Sequence, residues 1–100
     1  MTDLKKNPIV YLAFQVIPRS RDKNNFELVD KAIEVVINSQ VPYQIGAMET
    51  TMKGHLNHLL DIVTTAQQVC LDHGAIEVIT NIKIHNSPIS VNDTLCTYDF

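Results

Sequence analysis

One hundred residues, 45% of them hydrophobic, suit one compact domain around one core, and a chain this short gains stability by assembling with its own copies. The net charge of -3, from 8 basic and 11 acidic residues, argues against nucleic acid or an acidic membrane as partner, both of which reward a basic face. A polar start (MTDLKKNP) and no apolar run of spanning length predict neither a signal peptide nor a membrane helix, so a reducing cytoplasm is the expected location.

Residues 1–100 are read as a single domain with a polar lead (1–7) and a tail (88–100). After Pro8, IVYLAFQVIP is a β-branched and aromatic run bracketed by prolines, which predicts a strand. RSRDKNN is a polar connector. Asn24 with Glu27 three positions on marks a helix start, and Val29, Ala32, Ile33 and Val36 recur at helical spacing opposite Glu27, Asp30, Lys31 and Glu34. That helix stops near Asn38 or Ser39, because Pro42 disfavours helix in the residue before it.

Two short strands follow, Tyr43 to Met48 and Thr50 to Lys53, with Glu49 at the bend. Gly54 leads into a second amphipathic helix whose stripe is Leu56, Leu59, Leu60, Val63, Ala66 and Cys70, with Gly74 placed for a left-handed C-terminal cap. Cys70 on that stripe reads as a buried reduced thiol, and its spacing from Cys96 suits no metal. EVITNIKIH alternates as a strand, with Val78, Thr80, Ile82 and Ile84 toward a core. The tail predicts a further helical turn or two from Ser90.

The order strand, helix, strand, strand, helix, strand predicts an α+β, ferredoxin-like βαββαβ sandwich: a four-stranded antiparallel sheet with two helices on one face. The other face then carries Ile9, Tyr11, Ala13, Gln15 and Ile17 beside Ile79, Asn81 and Lys83. An exposed patch of Tyr11, Ile9 and Ile79 predicts a homo-oligomer.

AFQVIP, the hairpin YQIGAMETTMKG, the helix after it and the NIKI strand together resemble the small thiamine-binding proteins related to YkoF, over roughly residues 9 to 95. Met48, Thr50, Met52 and Gly54 match that family's hairpin pattern, and Lys83 and Ile84 its Lys-Ile pair. Ala47 stands in place of the family's proline. Lys53 stands in place of its glutamate, which reverses a charge beside the expected site. The resemblance implies a cytoplasmic, non-catalytic protein, tetrameric as a dimer of dimers, that binds thiamine or its hydroxymethylpyrimidine part, with no other cofactor.

Such a ligand presents a pyrimidine edge of donors and acceptors and a cationic thiazolium ring. Carboxylate, hydroxyl and amide groups suit the first, aromatic faces or negative charge the second. The candidate site residues are therefore Glu49, Thr50 and Thr51 at the bend, Gln15 and Asn81 on strands expected to be neighbours, Tyr43 or Tyr11 as a ring face, and Lys83. The plainer alternative is a solvated hairpin tip with strand-favouring threonines, in a structural or regulatory oligomerisation module without a ligand. Lys83 suits an oligomer rim or an ion pair with Glu49 or Glu77.

Other signals carry less. Arg19, Arg21 and Lys23 ahead of a helix start could suit an anion, but a mobile charged loop is the better reading of them. His55, His58 and Asp61 share helical spacing, yet His58 and Asp61 lie on the polar face, against a metal site. No serine sits in a nucleophile motif, PRSRDKNN lacks the glycines of an acylphosphatase loop, and the expected open face offers only Tyr11 of the aromatics an RNA-recognition module needs.

Overall fold

The computed structural model of the chain describes residues 7–87, so the turns expected from Ser90 and any role of Cys96 lie outside the described residues. The elements are β1 (Ile9–Ser20), α1 (Asn25–Asn38), β2 (Tyr43–Ile45), β3 (Thr50–His55), α2 (Leu56–Asp72) and β4 (Ala75–His85). They form one antiparallel sheet of order β2-β3-β1-β4 in the ferredoxin-like arrangement.

Alternation on β1 sends Val10, Leu12, Phe14 and Val16 to the helical side, where they meet Met52 of β3. From α1 come Leu28, Ala32 and Val36, and from α2 Leu59, Ile62, Val63, Ala66 and Cys70. Burying one of the larger of these side chains contributes roughly 1.5–3 kcal/mol. The α1 stripe is wider than its periodicity suggests: Leu28 belongs to the core, while Val29 and Ile33 are half-buried and face a cavity described below.

The helix ends are fixed by identifiable groups. Asn24 caps α1, its Oδ1 accepting from the Phe26 N–H at 2.8 Å. The first amides of α2 are capped from outside the helix: Leu56 N–H donates to the Pro8 carbonyl at 2.9 Å and Asn57 N–H to Asn7 Oδ1 at 2.8 Å. At the other end Gly74 has φ +113°, the backbone expected of it, and His73 Nδ1 lies 2.9 Å from the Val69 carbonyl oxygen. Cys70 is fully buried with its Sγ directed at the Leu28 carbonyl, and burial raises its thiol pKa.

Four expectations need correction. β2 ends at Ile45 rather than at Met48, because the chain turns at Gly46, whose N–H bonds the Glu49 carbonyl. β1 does not stop at Pro18 but continues to Ser20, because past Phe14 it is bonded to β4 alone, and an edge position tolerates proline. Ile82 and Ile84 do sit across from Phe14 and Leu12 on the helical side, yet they are 43% and 46% exposed at the sheet's edge. Tyr11 is not exposed: it is only 8% accessible, covered on the open face by neighbours described next. Ile9, Ile17 and Ile79 are exposed.

Candidate ligand-binding site

β3 begins at Thr50, opposite Phe14, whereas β1 runs six residues further with β4 as its neighbour. The sheet therefore has a step, and loop 46–49 lies against it beside Gln15. The loop is closed by a hydrogen bond from Gly46 N–H to the Glu49 carbonyl at 2.9 Å. A side chain at residue 46 would bring its Cβ to 3.0 Å from that carbonyl oxygen, so glycine permits the tight closure.

On the open face Glu49 reaches across the sheet to β4, where its Oε1 lies 2.9 Å from Lys83 Nζ. The two side chains are 30% and 74% exposed, so the carboxylate is the sheltered member. Gln15 and Asn81 are direct cross-strand partners, and Asn81 Nδ2 donates to Gln15 Oε1 at 3.4 Å. Gln15, Asn81, Glu49, Lys83 and Met48 line one open cavity of about 350 Å³. A carboxylate and two amides thus converge on one space, with an apolar thioether on its wall. That set can match a heteroaromatic edge bearing both donors and acceptors.

The two threonines part company. Thr51 pairs with Ala13 and is buried on the open face, where it lines an adjoining cavity of about 190 Å³ with Tyr11, Lys83 and His85. Thr50 pairs with Phe14, and so belongs to the helical side. It lines a mostly apolar cavity of about 250 Å³ between α1 and the hairpin tip, with Phe26, Val29, Ile33, Ile45 and Met48. Glu49 borders both this cavity and the open-face one. Tyr43 stands opposite Met52 and borders none of these three cavities. Gln15, Glu49, Asn81 and Lys83 are brought together, Thr51 lies next to them, and Thr50 and Tyr43 do not join them.

Sequence reasoning overlooked two features. His85, which ends β4, stacks on Tyr11 with ring centroids 6.1 Å apart and planes 18° from parallel, and Lys53 Nζ lies 5.7 Å from the centre of the Tyr11 ring. The signal was the register: Tyr11 is the cross-strand partner of both His85 and Lys53. Met48, 78% exposed, was read only as part of a motif, yet it borders the cavities on both sides of the step.

The other charged and capping groups singled out in the sequence lie outside this site. Arg19 pairs with Glu77 at 2.8 Å, Ser20 Oγ accepts from the Asp22 and Lys23 amides, and Asn24 already occupies the α1 N-terminus. His55 Nδ1 lies 3.0 Å from the Asn7 carbonyl oxygen, and His58 and Asp61 are exposed. Among the described residues no cluster of three or more histidine, cysteine or acidic side chains is placed to hold a metal.

Comparison with known proteins points the same way as the hairpin motif. The family of thiamine-binding proteins matches residues 12–93. The chain belongs to that family. It is 40% identical over 73 residues to the UPF0045 protein CPE1503 of Clostridium perfringens, a match covering 73% of this chain and 77% of that protein. Among solved structures, the Bacillus cereus domain of unknown function DUF77 is 47% identical with a TM-score of 0.83, over 92% of this chain and 91% of that one. A Thermotoga maritima protein provisionally assigned to thiamine biosynthesis or salvage (TM0486) superposes with a TM-score of 0.75 over 91% and 99% of the two chains. At 22% identity that likeness shows the fold alone. No helix among the described residues is long and apolar enough to cross a membrane.

Proposed function

We propose that the protein is a non-catalytic cytoplasmic binding protein for thiamine or its hydroxymethylpyrimidine moiety, acting as carrier, buffer or sensor. The observation that carries this reading is the sheltered Glu49 carboxylate beside the Gln15–Asn81 amide pair at the step of the sheet. Membership of the thiamine-binding family supplies the ligand class. The carboxylate and amides meet the aminopyrimidine edge, and the negative charge of Glu49 favours the cationic ring nearby.

The open face is proposed to pack on a sister subunit, in a homotetramer built as a dimer of dimers. Exposed Ile9, Ile17 and Ile79 on that face support an interface, which would also roof the open cavity. Ile79→Lys is expected to lower the mass seen in analytical ultracentrifugation. The same isoleucines favour a second reading, an oligomerisation module without a small-molecule ligand.

Thermal unfolding with and without thiamine separates the two. A ligand that binds only the folded state stabilises it by about 2.7 kcal/mol at a hundredfold excess over Kd. A clear rise in Tm with thiamine or hydroxymethylpyrimidine supports the binding protein. No rise with either ligand at millimolar concentration removes it and leaves the structural module.

A further inference from the structure

We propose that the site is bipartite and takes a two-ring ligand: a polar heterocycle at Glu49, Gln15 and Asn81 on the open face, and a second, cationic aromatic ring in the apolar cavity between α1 and the hairpin tip. This rests on the reading of Glu49 and the amide pair as the pyrimidine site, and it selects the whole of thiamine over its hydroxymethylpyrimidine part.

The two cavities meet at the step of the sheet. Gln15, Met48 and Glu49 border both of them. β3 pairs with β1 only as far as Thr50 opposite Phe14, so beside Gln15 that edge of β1 meets loop 46–49 rather than a strand. A ligand lying against Gln15 can therefore reach both sides of the sheet.

The cavity on the helical side has the chemistry of a ring site. Phe26, Val29 and Ile33 of α1 face Ile45 and Met48 of the hairpin across about 250 Å³. A dry apolar cavity of about 150 Å³ already holds benzene, so there is room for one substituted ring. Phe26 is 79% exposed on the α1 wall and Met48 78% exposed on the hairpin wall. Singly, such side chains need no explanation. Two of them on one cavity, with Ile45 also exposed, make an apolar mouth of the kind that marks a ligand groove.

The charge of the second ring follows from Glu49. This residue borders the apolar cavity as well as the open one, and its side chain is sheltered. An anionic ring would be repelled by that carboxylate and a neutral one would gain nothing from it, whereas a cationic ring is attracted. Phe26 offers an aromatic ring to the same cation. Met48, on the border of both cavities, can pack its flexible thioether against either ring.

Isothermal titration of the native protein with thiamine and with hydroxymethylpyrimidine tests this. Thiamine is expected to bind at least about tenfold tighter, since burying about two methylene equivalents of the second ring supplies that much. Two substitutions then address the apolar cavity alone. Phe26→Ala removes a mostly exposed side chain and so leaves the fold in place, and Val29→Phe fills the space from a half-buried position. In both, thiamine affinity should fall while that of hydroxymethylpyrimidine holds, bringing the ratio of the two dissociation constants toward one. Equal or weaker binding of thiamine by the native protein overturns the two-ring proposal and leaves the pyrimidine site intact. A thiamine preference undiminished in both variants overturns the placement of the second ring. Failure of both ligands to bind instead removes the underlying reading, and this proposal with it.

Discussion

Replacing Glu49 with glutamine separates a ligand-binding carboxylate from a structural one, because Glu49→Gln keeps the shape and removes the charge. In the free protein the charge serves one ion pair, with Lys83 74% exposed. Pairs of that kind stabilise a fold by roughly 0.2–1 kcal/mol. For a domain near this size each kcal/mol corresponds to about 4–8 °C, so Tm should fall by no more than about 8 °C. Binding should respond far more strongly. A hydrogen bond to a charged group contributes about 1.5–3 kcal/mol, which becomes about a 10- to 150-fold weaker Kd for thiamine. Differential scanning fluorimetry and isothermal titration on the same preparation measure both quantities. An unchanged Kd would refute the role given to the carboxylate. A loss of stability of several kcal/mol would refute the argument from exposure, showing that the pair staples the hairpin to β4.

Met52→Ala removes a fully buried side chain from the centre of the core and should cost about 2–5 kcal/mol in urea unfolding, a large share of the roughly 5–15 kcal/mol typical of a domain. Asn7→Ala deletes the side-chain acceptor at the start of α2 and should cost about 1 kcal/mol by the same measurement. The Cys70 thiol has its pKa raised by burial above an ordinary 9.0, so the unfolded chain loses its proton first as pH rises. The thiol's contribution to stability is complete below about pH 9 and declines above it, and Cys70→Ala should flatten that alkaline decline in equilibrium unfolding.

How far the sequence discloses this molecule depends on whether a feature is local. The second helix is legible because its stripe repeats over several turns and ends at Gly74, whose positive φ leaves few other residues suitable. The first helix is legible in position but not in facing. Its apolar residues divide between the core, with Leu28, and the cavity at the hairpin tip, with Val29 and Ile33, and periodicity cannot say what stands opposite each. The meeting of Gln15 and Asn81 follows once β1 and β4 are neighbours on topological grounds. Thr50 and Thr51 were harder: they necessarily face opposite sides, and only the register says which side is which. The Tyr11–His85 stack needs that register as well, since nothing near either residue in sequence announces the other.

The closure of loop 46–49 has a consequence for the placement of the carboxylate. The hydrogen bond from Gly46 to the carbonyl of Glu49 leaves so little room that a single methyl group at position 46 would push the acid's backbone by a few tenths of an ångström. The carboxylate is thus aimed by an empty space three residues upstream. A substitution at position 46 would therefore shift the backbone that carries Glu49 while every polar side chain of the notch keeps its identity.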